Sequence, residues 1–282
     1  MYIMSSTIVL YFIILLLGSL GEVVAEQNQG TKYITLLSTT STEDSGLYDA
    51  ILPVFTKDTG INVRVIAVGT GQAIKMAERG DGDVLLVHDT IAEMDLVNAG
   101  YVINRHDVMY NYYVLIGLQQ DTIGKEYDDK ENTINTILQH IYMNKKPFIS
   151  RGDDSGTDRR EKSLWKMLAL EPWNEYERWY MEVGAGMGAS LNIAVASGAT
   201  ILSDIATWLA FGNKKDHVIV YGGYDKVLLN MYGVMVVNPD LHGHVRKDEA
   251  ESFVKWITSD EGKQEIIQYK VDGEQLFFVP GQ

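Results

Sequence analysis

Residues Ile61 to Val87 read INVRVIAVGTGQAIKMAERGDGDVLLV. Ile61 to Val68 is a β-branched run, the composition of a strand. Gly69-Thr70-Gly71-Gln72 turns the chain into a helix whose Ala73, Ile74 and Ala77 share a face, and Gly80 stops it. Val84 to Val87 is unbroken apolar sequence, as in a strand buried on both sides. Working outward, Thr31 to Leu37 (TKYITLL) predicts a preceding strand and Ser38 to Gly46 a polar loop. Leu47, Ala50, Ile51, Val54 and Phe55 recur at helical spacing, with Pro53 expected to bend or shorten that helix. Thr90 to Ala99 is helical again. The first hundred residues thus run βαβαβα, which predicts a parallel sheet with helices on its faces and right-handed connections.

Beyond this unit the predicted strands are Tyr112–Gly117, Pro147–Ile149, Thr200–Leu202, His217–Tyr221 and Leu228–Asn238. Predicted helices cover Asn132–Tyr142, Asp158–Leu168, Met187–Ser197, Lys247–Thr258 and Asp260–Tyr269. A chain of 282 residues with 22% charged and 46% hydrophobic residues fits two ordinary α/β domains. The 24 basic against 38 acidic residues give a net charge of −14, which argues against a nucleic-acid partner. With no cysteine, disulfides, thiolate catalysis and Cys-zinc sites are excluded.

Ser6 to Leu20 (STIVLYFIILLLGSL) is apolar and uncharged but shorter than the roughly 20 residues that span a bilayer. Val23-Val24-Ala25 after it has the form of a small-x-small cleavage site. The expectation is a signal peptide over residues 1–25, or an N-terminal membrane anchor if uncleaved, and a periplasmic or extracellular protein.

Three predicted strand-to-helix junctions share one chemistry: Ser38–Gly46, Gly69–Gln72 and Ser150–Thr157 are rich in hydroxyls and glycines. In a parallel sheet such junctions gather at the carboxyl ends of the strands, where ligands bind. Helix-start N–H groups and hydroxyls are neutral donors for an anion. Arg151 is the sole cation within the three segments. One arginine among neutral donors suits a small dianion better than a polyphosphate. Capping and tight turning are the ordinary uses of such residues; the third segment, with Arg151 ahead of Asp153, Asp154 and Ser155, offers more than capping needs.

In this order the loops resemble the tungstate-binding proteins that feed ABC importers. The matching blocks are Thr39-Thr40-Ser41-Thr42-Glu43-Asp44-Ser45-Gly46, Val68 to Ala73, Gly80-Asp81-Gly82-Asp83 with Val87-His88, Val108-Met109-Tyr110-Asn111, and Ser150 to Thr157 followed by Leu164-Trp165. Trp179-Tyr180 and Gly186-Met187-Gly188 continue the match, which covers roughly residues 33 to 280. The resemblance implies a type II periplasmic-binding-protein fold, α/β, with two parallel-sheet lobes joined by a hinge. Lobe one is expected at 31–113 plus 230–282 and lobe two at 114–229. It further implies tungstate as ligand, with molybdate as the near alternative. Thr40, Ser41, Thr70, Arg151 and Thr157 are the implied contacts. An ABC permease is the implied partner of a monomer without cofactor, metal cation or catalytic residue. Three positions depart from the family pattern: Asp89 after His88, Asp158 after Thr157, and Ile205 after Ser203-Asp204.

Other readings are weaker. A hydrolase using Asp153 or Asp154 with Arg151 has no His or Lys in that loop as partner. The Arg151-Gly152-Asp153 triplet is too short to signal adhesion. His242 and His244 read as a solvated turn, His88 as a satisfied core histidine, and Trp165, Trp173, Trp179 and Tyr180 as core.

Overall fold

The computed structural model describes residues 32–120, 133–175, 177–222, 226–271 and 273–281. The signal-peptide reading falls outside them. Among the described residues no helix is long and apolar enough to cross a membrane.

The chain opens with β1 (Tyr33–Thr39), α1 (Thr40–Asp44), α2 (Leu47–Thr59), β2 (Asn62–Val68), α3 (Thr70–Arg79), β3 (Val84–Val87), α4 (Thr90–Asn98) and β4 (Val102–Leu118). There follow α5 (Ile134–Met143), β5 (Phe148–Ser150), α6 (Gly156–Met167), β6 (Tyr180–Glu182), α7 (Met187–Ser197), β7 (Thr200–Asp204), α8 (Ile205–Ala210) and β8 (His217–Tyr221). The chain closes with β9 (Leu229–Val237), α9 (Lys247–Ile257), α10 (Asp260–Gln268) and the small hairpin β10 (Lys270–Val271) and β11 (Glu274–Gln275).

The expected parallel core is present. β1 pairs in parallel with β2 and β3, and β5 in parallel with β6 and β7. Each group takes one strand of opposite sense: β9 lies antiparallel between β3 and β4, and β4 antiparallel to β7 and β8. β4 belongs to both groups. Its residues Val102–Tyr112 pair with β9, and from Tyr113 onward they pair with β7 and β8. Side chains that alternate along each strand feed different layers. Leu36, Val84 and Leu86 join Phe55, Phe253 and Trp256 on one face of the first sheet, while Leu37, Leu85 and Val87 join Ala73 and Met235 on the other. In the second group, Tyr113 and Leu115 pack with Phe148, Trp165, Trp179 and Tyr180, and Val114 and Ile116 with Met187, Leu191 and Trp208. Trp173 lies at the edge of the first of these layers. The tryptophans are core, as expected.

Three local expectations are corrected. The segment after β1 is not a loop throughout, since Thr40–Asp44 forms a helical turn. Pro53 does not shorten α2, which runs to Thr59. Pro53 lies on the exposed face, so the carbonyl deprived of a donor faces water. His242 and His244 do lie in a turn, with His244 exposed, but they are not free in it. Their Nε2 atoms lie 3.1 Å from the Glu78 carbonyl and 2.7 Å from the Gly80 carbonyl, where they close the C-terminus of α3.

Candidate functional site

The three hydroxyl-rich junctions come together through one histidine and one glycine. In the first, Thr39 Oγ1 lies 2.8 Å from Thr42 Oγ1 and 3.2 Å from Ser41 Oγ. Ser41 is buried and Thr40 half-buried. Ser41 Oγ sits 3.5 Å from Nε2 of His88, the residue just after β3. In the second junction Thr70 is buried at the first position of α3, and its Oγ1 accepts from Gly156 N at 3.0 Å. Gly156 opens α6 in the third junction. A Cβ there would stand 2.7 Å from His88 Cε1, so glycine is what lets the start of α6 reach both His88 and Thr70.

The third junction is held open by its acids. Gly152 and Asp154 are both left-handed, with φ of 60° and 57°. The buried Asp158 carboxylate accepts from Gly152 N at 2.9 Å, from Ser150 Oγ at 3.3 Å and from Asp154 N at 3.3 Å, and Lys162 lies 3.1 Å away. Ser155 caps α6 through Asp158 N. Within this frame Arg151 is 4% exposed; its Nη2 donates to Asp153 Oδ2 at 2.6 Å, while its Nε has no partner. Thr157 is 2% exposed and its Oγ1 also has none. A buried polar atom left unpaired costs about 1–3 kcal/mol. Two of them on adjoining turns mark where an acceptor fits.

Electrostatics tie Arg151 to the other junctions. Burial raises the Asp44 carboxyl at the end of α1, and the Arg151 charge works against that rise. Burial lowers the His88 pKa; Asp204, Asn230 and Asp89 oppose the shift and Arg151 adds to it. His88 Nδ1 lies 3.0 Å from Asn230 Oδ1 and 3.2 Å from Tyr113 OH, and its ring packs on Tyr232. The expectation of a buried, hydrogen-bonded histidine holds, but its place between the three junctions was not foreseen. The same is true of Tyr113 and Asn230, which lie near the point where β4 passes from one sheet group to the other.

A cavity of about 500 Å3 opens beside this point, lined by His88, Tyr113, Gly156 and Asn230 and rimmed by Asp89, Arg159, Arg160 and Lys226. Thr40, Ser41, Thr70, Arg151 and Thr157 do not line it. Four of the five are buried, and the unpaired atoms Arg151 Nε and Thr157 Oγ1 are among them.

The carboxylates of the third junction are engaged. Asp154 receives the Arg159 fork at 2.9 and 3.0 Å, which holds its pKa below the usual carboxylate range. Asp153 is paired with Arg151. Among the described residues no group of three or more His, Cys, Asp or Glu is placed to hold a metal ion. In this junction the atoms left without a partner are Arg151 Nε and Thr157 Oγ1.

A family described as PBP superfamily domain matches residues 24–261. The tungstate-binding protein TupA of Peptoclostridium acidaminophilum is 42% identical over 260 residues, covering 92% of this chain and 87% of its own. The solved TupA from Desulfovibrio alaskensis G20 superposes with a TM-score of 0.76 at 38% identity, over 89% of this chain and all of its own. The tungstate ABC transporter structure from Geobacter sulfurreducens gives 0.74 at 40% identity, over 84% and 98%.

Proposed function

The chain belongs to the PBP superfamily and, within it, to the tungstate-binding proteins, and from that membership we propose that it captures tungstate and passes it to an ABC permease. The observation that carries the proposal is the pair of buried, unpartnered donors, Arg151 Nε and Thr157 Oγ1, on the turn that also meets Thr70 and His88. Ser41, Thr70, Arg151, Thr157 and the backbone at Gly156 surround the oxyanion, and Thr40 flanks it. Arg151 supplies the counter-charge; hydroxyls and N–H groups supply direction. His88 shapes the wall and lies beside Ser41.

The anion is enclosed between two lobes, residues 31–113 with 230–282 and residues 114–229. They move about the crossings at Tyr112–Tyr113 and Leu228–Leu229, where the chain changes sheet. Residues 1–25 direct export, and the protein works outside the cytoplasm as a monomer. It acts as a binder rather than an enzyme: the relatives it matches are binding proteins, and of the hydrolytic candidates Asp153 is paired with Arg151 and Asp154 takes the Arg159 fork.

Calorimetric titration of the full chain with tungstate, molybdate, sulfate and phosphate tests this. One site per chain with tungstate bound most tightly is expected. Sulfate and phosphate are smaller and leave donors unsatisfied. Binding of phosphate or sulfate ahead of tungstate would overturn the assignment, and preference for molybdate would correct the ligand while keeping the site.

A further inference from the structure

Just outside the anion site a second set of charges joins the two halves of the molecule. Asp89 follows His88 on the side of the first sheet, and Arg159 lies two residues beyond Thr157 on α6. Arg159 Nη1 donates to Asp89 Oδ2 at 3.1 Å. The rest of its guanidinium is spent on Asp154, so it is not a ligand for the anion.

We propose that the Asp89–Arg159 pair is a strap across the cleft that holds the closed form and sets how long the bound oxyanion stays. This rests on the oxyanion-clamping reading above. Both ends are anchored. The Asp89 N–H is held by Glu93 Oε1 at 2.9 Å, and Asp89 Oδ1 caps α4 at Ala92 N. Glu93 is itself buried against Arg105 at 2.8 Å. Arg159 is fixed by its fork on Asp154. The pair therefore forms when the two halves are together and parts when they separate. Gly71, next to Thr70, makes room for it. A Cβ there would lie 2.7 Å from Asp154 Oδ2 and 2.8 Å from Arg159 Nη2. Asp89, Arg159 and Gly71 each lie one or two residues from a site residue, so closure of the strap and of the site are one movement. The side chains are 34% and 16% exposed, which makes the strap weak and sensitive to salt.

The test is the rate at which loaded full-length protein releases tungstate, timed by rapid dilution and elemental analysis of the filtrate. Asp89→Asn keeps the cap, since asparagine caps as well as aspartate, and removes the charge. Arg159→Lys keeps the charge and loses the shared fork. Both variants are expected to release tungstate about two- to fivefold faster at low salt, and the difference from wild type should shrink as salt rises. Unchanged release refutes the strap. Slower release from Asp89→Asn refutes it too, because Asp89 would then merely repel the anion. So does a drop in apo melting temperature without a change in release. If wild type binds no tungstate, the strap falls together with the functional reading; if wild type binds and the variants release normally, the strap falls alone.

Discussion

Replacing Arg151 by alanine separates an anion-binding arginine from one that only pins its own loop. In the structure Arg151 is 4% exposed, pairs once with Asp153 at 2.6 Å and leaves Nε unpaired. A ligand oxygen accepting from that guanidinium makes a charge-assisted bond worth about 1.5–3 kcal/mol. At about 1.4 kcal/mol per decade the loss weakens tungstate binding roughly tenfold to a hundredfold or somewhat more. The upper end applies if the dianion is left enclosed without its counter-charge. The cost to the apo fold should be smaller. Asp153 is 20% exposed and keeps its bond to Ser155 N, so water takes the place of the lost partner. Arg151→Lys should restore part of the affinity, because an ammonium keeps the charge and loses the planar fork. The assay is a tungstate titration and an apo melting curve on the same preparations. A variant that melts lower yet binds within about twofold of wild type per folded molecule would show that Arg151 serves only the loop. It would then remove the counter-charge on which the oxyanion argument stands.

Thr157→Val should act with opposite signs on binding and stability. It deletes a buried hydroxyl that has no partner in the protein, so the apo melting temperature should hold or rise while tungstate affinity falls by roughly fivefold, about 1 kcal/mol; a fall in both would place the hydroxyl in the fold rather than the site. Glu161, beneath the Arg151 turn, has its pKa pushed up to about 8, chiefly by burial and with a contribution from Asp158, against hydrogen bonds from Ser150, Tyr180 and Trp165. A raised carboxyl pKa means the folded chain holds the proton that the unfolded chain releases, so this contribution is complete below about pH 4.5 and fades as pH rises towards 8. Glu161→Gln mimics the protonated acid and should flatten the melting temperature between pH 5 and 8 relative to wild type; parallel profiles would show that Glu161 is already ionised. Saturating tungstate should shrink the radius measured by solution scattering and raise the melting temperature, through a stabilisation of about 2.7 kcal/mol at a hundred times Kd, and an unchanged radius would count against lobe closure.

Much of this fold was legible because burial writes itself into short runs. Val84–Val87 has no polar residue, and all four positions are buried, as a strand covered on both faces requires. Phe55, Ala77 and Leu138 fall on the buried helix faces that their spacing predicted. The long β4 was not legible in full. Arg105, His106 and Asp107 break the apolar pattern of its first half, which pairs with β9 while facing solvent in part. α1 was hidden for a different reason. Serine and threonine compete with the backbone for hydrogen bonds and read as loop, but here they bond to one another and leave the backbone free to turn. His88 could be read as buried but not as central. Its neighbours Tyr113, Asn230 and Gly156 arrive from 25 or more positions away in sequence, which no local pattern records.

The acidic character of the chain bears directly on whether such a site can hold a dianion. At net −14, with Asp89 and Asp158 standing where the family pattern is less acidic, the sequence by itself suggests a cleft hostile to an anion. The structure shows several of the nearby carboxylates engaged. Asp153 faces Arg151 and Asp154 takes the Arg159 fork. Asp89 shares that same arginine, and Asp158 is met by two backbone N–H groups and Lys162. Asp204 caps α8 through Thr207 N at 2.9 Å and accepts from the Thr207 hydroxyl at 2.6 Å. A carboxylate whose lone pairs are taken by cations and N–H groups projects a dipole rather than a free charge, and a dipole fades with distance faster. In the site proposed above, the field over the last few ångströms would then come mainly from Arg151 and the neutral donors, while the net charge acts mainly at longer range, where salt screens it. On that reading the departures at Asp89 and Asp158 change how the loops are held and leave the proposed donors unchanged.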